Sequence, residues 1–284
     1  MKNKKTKANR ITFILLVVVL LAGLSLLLYP TVADYWNSRH QSQAIASYVD
    51  TVTELDEDRY EELLAEARAY NAGLLQDENR FLPDEEDMEY YNSLLNVSGN
   101  GIMGYVEIPD IDVTLPIYHG TSEEVLQTAI GHIEGSSLPV GGESTHCVIS
   151  GHRGLPSARL FTDLDQLAEG DTFTLHVLDE TLTYEVDQIS VVEPDDISLL
   201  EIEAGEDLCT LVTCTPYGVN SHRLLVRGHR VETPEEGGIL QIIADAVLID
   251  ERFVLPIIAI PILLIVIVIA ALRSRRRKSK KGGK

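Results

Sequence analysis

Residues 210–218 read TLVTCTPYG, an apolar, β-branched run that ends in a cysteine followed by a turn. Residues 208–213 have the composition of a buried strand, and Pro216 and Gly218 end that strand. Cys214 therefore lies at the edge of a strand, where its side chain can meet a substrate.

Two further segments bring reactive side chains to strand ends. Residues 147–154, CVISGHRG, form a short apolar strand that breaks at glycines, with the imidazole of His152 at the break. Residues 221–228, SHRLLVRG, predict a third strand, and the loop before it is short enough to return it beside Cys214 as a hairpin. Arg223 then lies within reach of the thiol.

A thiol, an imidazole and a guanidinium on neighbouring strand ends form a complete acyl-transfer site. A thiol with its free pKa of about 8.5 is mostly protonated at neutral pH, so Cys214 needs a positive neighbour or a base. His152 can fill that need and can later protonate a leaving amine. Arg223 cannot act as a base, but its N–H donors suit the negative charge that develops on a carbonyl oxygen under attack. We therefore predict a thioester at Cys214, followed by attack of an amine.

These residues also have less reactive interpretations. A cysteine at a strand end is more often a small buried hydrophobic residue than a nucleophile. His222 is the strongest rival to His152 as the base, but adjacent strand side chains point to opposite faces, so His222 faces away if Arg223 faces Cys214. No histidine pair has helical metal-site spacing, and neither a metal nor a cofactor is predicted. The histidines interpreted as structural or solvent-facing are His40, His119, His132, His146, His176, His222 and His229.

The other two cysteines repeat the spacing of the reactive pair. Cys147 precedes His152 by five residues, and Cys209 precedes Cys214 by five. If the two strands are neighbours, the odd offset turns both thiols to the opposite face, into the interior. We predict two buried free thiols, and a disulfide stays open because the domain is expected outside the cell.

The chain divides by composition into a helical part and a β-rich part. Residues 30–100 are predicted as an N-terminal helical extension with two helices within 34–75, followed by an acidic loop over 79–100. Residues 101–232 alternate short strands with turn residues, as in an all-β barrel with a few short helices, one of them at 122–129.

Two apolar stretches predict membrane helices. Residues 11–29 and 253–272 are each long enough to span about 30 Å of hydrocarbon. The basic segments 1–10 and 273–284 flank them and predict that both termini are cytoplasmic and the domain between is extracellular, with 233–252 as a linker. The first stretch is predicted as a retained anchor because it exceeds the usual signal core of about 7 to 15 residues, and a cleavable signal is the alternative.

Charge separates the membrane-flanking ends from the rest of the chain. The two ends carry every lysine, and the residues between them carry ten arginines and all 44 acidic residues. So acidic a surface repels nucleic acid, which excludes that class of partner. The absence of lysine has two explanations, an acidic proteome or the avoidance of self-coupling by an enzyme whose acceptor is a lysine amine.

Several motifs make the chain resemble the sortases, membrane-bound cysteine transpeptidases of Gram-positive bacteria. The resemblance covers roughly residues 101–232, and within this range the chain is most similar to the pilus-assembling class C branch. It implies a closed sortase-type β-barrel in which Cys214 is the nucleophile, with His152 and Arg223 as its partners. The matching segments are Thr-Leu-x-Thr-Cys at 210–214, the segment around His152, Arg223, and residues 104–109, 115–121 and 131–139.

Class C sortases commonly cover the active site with an N-terminal lid that carries an Asp-Pro-aromatic motif. This chain has Phe81, Pro83 and Asp84 in that region and lacks the motif. The resemblance implies a possible lid in which Phe81 or Asp84 plugs the cleft, and the alternative is a solvated acidic loop.

The resemblance also implies substrates. The expected activity is cleavage of a Leu-Pro-x-Thr-Gly-like sorting signal between Thr and Gly, with transfer of the acyl group to a lysine amine of a pilin subunit. Attachment of surface proteins to the peptidoglycan precursor is the alternative within the same chemistry. A cysteine protease that uses water and a catalytically silent membrane scaffold are the alternatives from other classes. The expected partners are substrate proteins with a C-terminal sorting signal and membrane lipid.

Overall fold

The computed structural model describes residues 2–77 and 79–233. Four helices are found there, and they are α1 (Lys2–Thr53), α2 (Glu57–Leu74), α3 (Glu85–Ser93) and α4 (Glu123–Leu126). Single-turn 3₁₀ helices lie at Pro109–Ile111, Leu164–Gln166 and Ser198–Leu200. The strands are β1 (Ile102–Ile108), β2 (Val113–His119), β3 (Ile130–His132), β4 (Thr145–Ser150), β5 (Thr172–Val177), β6 (Glu180–Val192), β7 (Asp207–Thr215) and β8 (His222–Val231).

The eight strands close into a barrel in the order β1-β2-β3-β4-β7-β8-β6-β5. The β2–β3 and β4–β7 pairs are parallel and the other pairs are antiparallel. Closure leaves no unpaired sheet edge and turns alternate side chains inward, where they form one apolar core. The predicted mainly β barrel with short helices is therefore confirmed.

The N-terminal helices pack on the barrel from outside. Leu63, Leu64 and Ala67 of α2 are buried in the main core. The α1 helix is fixed through Tyr48, whose hydroxyl donates to the carbonyl of Met103 at 3.0 Å and accepts from the Leu178 amide at 2.7 Å. Burial of that hydroxyl without these partners would be costly, so they define where residues 33–53 of α1 lie on the barrel.

The acidic loop predicted for residues 79–100 is wrong in part, because α3 forms within it. The Asp84 carboxylate accepts from the amides of Glu86 and Asp87, and the Asp87 carboxylate accepts from the Asp84 amide in return. This capping box and the acidic first turn stabilise the N-terminal end of the helix. Tyr91 then anchors α3 in the core, where it is 1% exposed.

The first 32 residues belong to a separate unit from residues 33–233, although α1 runs through both. Among the described residues one helical segment, Leu15–Thr53, is long and apolar enough to cross a membrane. This agrees with an N-terminal membrane anchor, and a signal sequence near the N-terminus can also meet this criterion of length and hydropathy. The predicted second span at 253–272 and the basic tail lie outside the described residues, as does the linker beyond residue 233.

Candidate active site

Cys214 and Arg223 are direct cross-strand partners near the turn of the β7–β8 hairpin. Residues opposite each other in an antiparallel pair project to the same face, so the thiol and the guanidinium share one surface of the barrel. Both residues are half-buried. His222, the rival base, lies with its Nε2 atom 3.3 Å from a carboxylate oxygen of Glu193.

The loop after β4 brings His152 to the same end of the barrel. Parallel pairing of β4 with β7 places Ser150 beside Val212, and the Gly151 amide continues the ladder by donating to the Val212 carbonyl at 3.0 Å. The Thr213 hydroxyl donates to the Gly151 carbonyl at 2.8 Å. His152 is the next residue, so it leaves the sheet at the level of Cys214.

Gly151 is required at this point because of close packing. A Cβ atom there would lie 2.6 Å from the ring of Phe161 and 2.8 Å from Ile130. The absence of a side chain lets the chain pass between these groups and turn outward at His152. The glycine before the imidazole, seen in the sequence as a strand break, is thus a packing requirement.

Arg153 is a site residue that the sequence reasoning missed. One guanidinium nitrogen donates to the Thr215 hydroxyl at 3.5 Å, and the other pairs with Asp165. The guanidinium carbon lies 5.7 Å from the centre of the Tyr217 ring. Its side chain is 8% exposed, and its Nε–H has no hydrogen-bond partner among the described residues. Arg153 therefore ties the His152 loop to the residues that follow Cys214.

A groove leads along the barrel surface to Arg223. It encloses about 430 Å³ and is mainly apolar, with Arg223 as the cationic residue of its lining. Val212 lies two residues before Cys214 in β7 and Leu225 two after Arg223 in β8, so these lining residues continue the face of the reactive pair. The lining residues are Phe81, Pro83, Met88, Ile133, Glu134, Ser150, Val192, Pro194, Asp196, Ile197, Leu200, Val212, Arg223 and Leu225.

The segment before α3 is fastened to this groove. Arg80 is buried and donates to the carbonyls of Gly135 at 3.0 Å and Leu200 at 2.9 Å. Its guanidinium lies 4.2 Å from the centre of the Phe81 ring, which packs on an apolar cluster of β4, β7 and β8. Gly135 permits this approach, because a Cβ atom there would lie 1.8 Å from the Arg80 carbonyl oxygen.

The three residues predicted for a lid therefore differ in position. Phe81 and Pro83 line the groove, together with Arg223. Asp84 is exposed, and its carboxylate caps α3. The alternative of a wholly solvated acidic loop does not describe Arg80 and Phe81.

The two remaining cysteines are buried and free, as predicted. Cys147 and Cys209 are direct partners in the β4–β7 pair and both belong to the core. Burial raises the pKa of the Cys209 thiol. Cys214 is the half-buried thiol of the three, so thiol chemistry at the surface belongs to it.

Several other histidines hold the fold together. His132 is fully buried between the hydroxyl of Tyr91 and the carbonyl of Ser137. His146 contacts the carbonyl of Glu201 and the hydroxyl of Thr210, and burial lowers its pKa. Within residues 2–77 and 79–233, no group of three His, Cys, Asp or Glu side chains has the arrangement of a metal site.

The comparisons with known proteins agree with this geometry. Residues 106–231 match the sortase domain. Sortase C1 from Streptococcus agalactiae is 55% identical, with 68% of this chain and all of that one aligned and a TM-score of 0.66. Streptococcus pneumoniae sortase C is 50% identical over 67% of this chain and 97% of that one, with a TM-score of 0.61.

Curated relatives match over a shorter region. Sortase D of Bacillus subtilis is 32% identical over 131 residues, which are 45% of this chain and 63% of that protein. The chain thus covers less than two thirds of the length of that relative. The solved structures are covered almost completely, at high identity and on the same fold. This chain belongs to the sortase family.

Proposed function

We propose that the protein is a cysteine transpeptidase that cleaves a Leu-Pro-x-Thr-Gly-like sorting signal between Thr and Gly and transfers the acyl group to a lysine amine of a pilin subunit. The observation that carries the proposal is the pairing of Cys214 with Arg223 across β7 and β8, at the level where His152 leaves β4. The solved relative from Streptococcus pneumoniae is described with pilin substrate specificity.

Acylation uses all three residues. His152 takes the thiol proton, and the Cys214 thiolate attacks the threonine carbonyl carbon to form a C–S bond. The carbonyl π electrons move to the oxygen, where the Arg223 guanidinium stabilises the negative charge. When the carbonyl re-forms, the C–N bond to glycine breaks, and the departing nitrogen takes the proton held by His152. The products are the thioester and the free glycine amine.

Deacylation runs the same steps with a new nucleophile. The acceptor ammonium group first loses one proton to water, which gives the neutral amine. His152 then takes a second proton from this amine as its nitrogen attacks the thioester carbonyl. An oxyanion forms again and is stabilised by Arg223. When its carbonyl re-forms, the C–S bond breaks. The thiolate leaves and regains its proton from His152, so the enzyme returns to its starting state with one amide cleaved and one formed.

The groove supports an apolar peptide on the acyl side of the cleavage point. Most of its lining is apolar, with aliphatic side chains such as Ile133, Val192 and Leu225, and these suit the leucine and proline of the signal. We also propose that Phe81 and Pro83 form a lid on this groove, because they line it together with Arg223. Peptide entry then requires displacement of the Phe81 ring.

The test uses the full chain in detergent micelles and a peptide that contains Leu-Pro-Glu-Thr-Gly. Mass spectrometry identifies the products formed with Nα-acetyl-lysine amide, with a peptidoglycan stem peptide that ends in an amine, and without any acceptor. A lysine amide as the main product supports the proposal. Preference for the stem peptide identifies surface-protein attachment, free acid despite lysine identifies a protease, and an intact Thr–Gly bond rejects transpeptidation altogether.

A further inference from the structure

A second cavity lies across the barrel from Cys214. It encloses about 470 Å³ between the α1–α2 connection and strands β1, β5 and β6. In the closed strand order, the β5–β1 pair is diametrically opposite the β4–β7 pair. The size is within the range of pockets that hold small ligands. The cavity is lined by Val49, Val52, Thr53, Leu55, Asp56, Glu57, Tyr60, Tyr105, His176, Leu178, Asp179, Glu180 and Thr181.

The carboxylates of this lining outnumber its cationic groups. Asp56, Glu57, Asp179 and Glu180 contribute carboxylates, and the lining includes neither lysine nor arginine. The imidazole of His176 is paired with the Glu107 carboxylate at 2.9 Å. The carboxylates of Glu57 and Asp179 have no partner in the described part of the chain. The cavity therefore attracts positive charge.

Aromatic and aliphatic groups form the inner wall. The Tyr105 ring stacks on His176, with centroids 4.4 Å apart and planes within 10° of parallel. Tyr105 is 2% exposed as a residue and lines the cavity, and none of the described residues hydrogen-bonds its hydroxyl. The hydroxyl is accessible from the cavity, so its donor and acceptor capacity is free for a polar atom of a ligand.

The chemistry of the rim agrees with a cationic ligand. The Tyr60 hydroxyl donates to a Glu180 carboxylate oxygen at 3.2 Å, and burial followed by the charge of Glu180 raises the pKa of Tyr60 to about 12. A metal ion does not fit, because no metal-holding group of side chains occurs in residues 2–77 and 79–233. Aromatic rings and carboxylates around an aliphatic wall are the features that recognise an organic ammonium ion.

We infer that this cavity binds an aliphatic ammonium group, either a small free amine or the side chain of a lysine on a protein partner. The ammonium is held by the carboxylates of Glu57, Asp179 and Glu180, and its carbon chain packs against Val52 and Leu55. The site goes beyond the proposed transpeptidation, because it lies across the barrel from the thiol and takes no part in the reaction.

The experiment is calorimetric titration of the full chain in micelles at low ionic strength, with 1,5-diaminopentane as the probe and 1,5-pentanediol as its neutral match. Saturable binding is expected for the diamine and not for the diol. The Glu57→Gln/Asp179→Asn variant should bind about tenfold more weakly, since charge-assisted hydrogen bonds are lost. Neither carboxylate makes a hydrogen bond within the described chain, so the variant should fold.

The matched control is Glu143→Gln/Glu206→Gln, which removes the same charge at two exposed positions outside the cavity. Its affinity should equal that of the parent. Equal losses in the two double variants would mean diffuse surface attraction and would overturn the inference, as would an absence of saturable binding. Nα-acetyl-lysine N-methylamide serves as the second probe, and the tighter ligand of the two identifies a protein lysine or a free amine as the natural source.

The Tyr105→Phe variant tests the inner wall separately. It keeps the ring stacked on His176 and removes the hydroxyl that lacks a partner. Diamine affinity should fall a few-fold if the hydroxyl accepts from the ammonium, because one neutral hydrogen bond is lost. An unchanged affinity in this variant, together with an unchanged affinity in the carboxylate variant, would place the diamine elsewhere on the protein.

Discussion

Arg223 lies directly opposite Cys214 across the β7–β8 pair, so the guanidinium and the thiol share one face of the barrel. This relationship predicts the effect of Arg223→Lys. Lysine keeps the charge but loses the planar fork of donors, and acylation should slow by about 10² to 10³. Alkylation of the thiol needs no oxyanion and should change less. The two rates are measured by stopped-flow acylation with a sorting-signal peptide and by thiol alkylation. An acylation rate of Arg223→Lys equal to that of the parent would reject the oxyanion role.

Cys214 is the one thiol of three that reaches the surface, and replacing it should remove all chemistry. In Cys214→Ala, cleavage of the Thr–Gly bond and the thioester intermediate should both disappear, because no other described thiol lies outside the core. Cys147→Ala is the matched control, since that thiol is buried. It should keep activity and lose stability by a few kcal/mol at most. Mass spectrometry of the intermediate and thermal unfolding check both outcomes.

Arg153 should act as a positioning residue. Its contacts with Thr215 and Asp165 tie the loop that carries His152 to the strand end that carries Cys214. In Arg153→Lys the fork that makes both contacts is lost, so kcat should fall about tenfold while KM stays near the parental value. Arg159→Lys is the control, because Arg159 pairs with Asp163 on an exposed surface. A rise in KM at constant kcat would instead assign Arg153 to peptide binding.

The sequence could predict the hairpin and the reactive pair because both depend on local patterns. The apolar, β-branched composition of residues 208–213 predicts the strand, and the short loop after Cys214 brings Arg223 beside the thiol. The position of His152 required only that two apolar strands be neighbours. These relationships are local in sequence or follow from one strand pairing, which explains why they could be inferred.

The contacts that the sequence missed join distant parts of the chain. Arg80 donates to carbonyls 55 and 120 residues away, and Arg153 reaches a hydroxyl 62 residues away. Helix α3 formed within a predicted loop because Asp84 caps it and the core buries Tyr91. A charged residue in an acidic segment gives no local signal that it will be buried, so tertiary partners decide such cases.

Phe81 should shield the Cys214 thiol from solvent, although its segment lacks the Asp-Pro-aromatic motif. Its ring packs on the cluster of Val148, Leu200, Val212 and Leu225. In Phe81→Ala this packing is lost, and alkylation of Cys214 should speed up by about tenfold or more, since burial of such a ring contributes roughly 1.5–3 kcal/mol. Leu82→Ala is the control, because Leu82 is 81% exposed. Equal rates in the two variants would remove Phe81 from the lid.

The absence of lysine between the two basic ends predicts what happens when a lysine is placed near the thiol. Val219 is 70% exposed in the β7–β8 turn, five residues after Cys214. If a thioester forms and accepts lysine amines, Val219→Lys should attack its own thioester, because a tethered amine has an effective concentration in the millimolar range. The product is the protein plus the acyl part of the peptide, seen by intact mass and located by proteolysis. Asp58→Lys, at an exposed position in the first turn of α2, is the control and should stay unmodified. Equal rates of self-acylation in the two variants would mean that one molecule acylates another. If neither variant is self-acylated while a small free amine is still accepted, the missing lysines are explained by an acidic proteome.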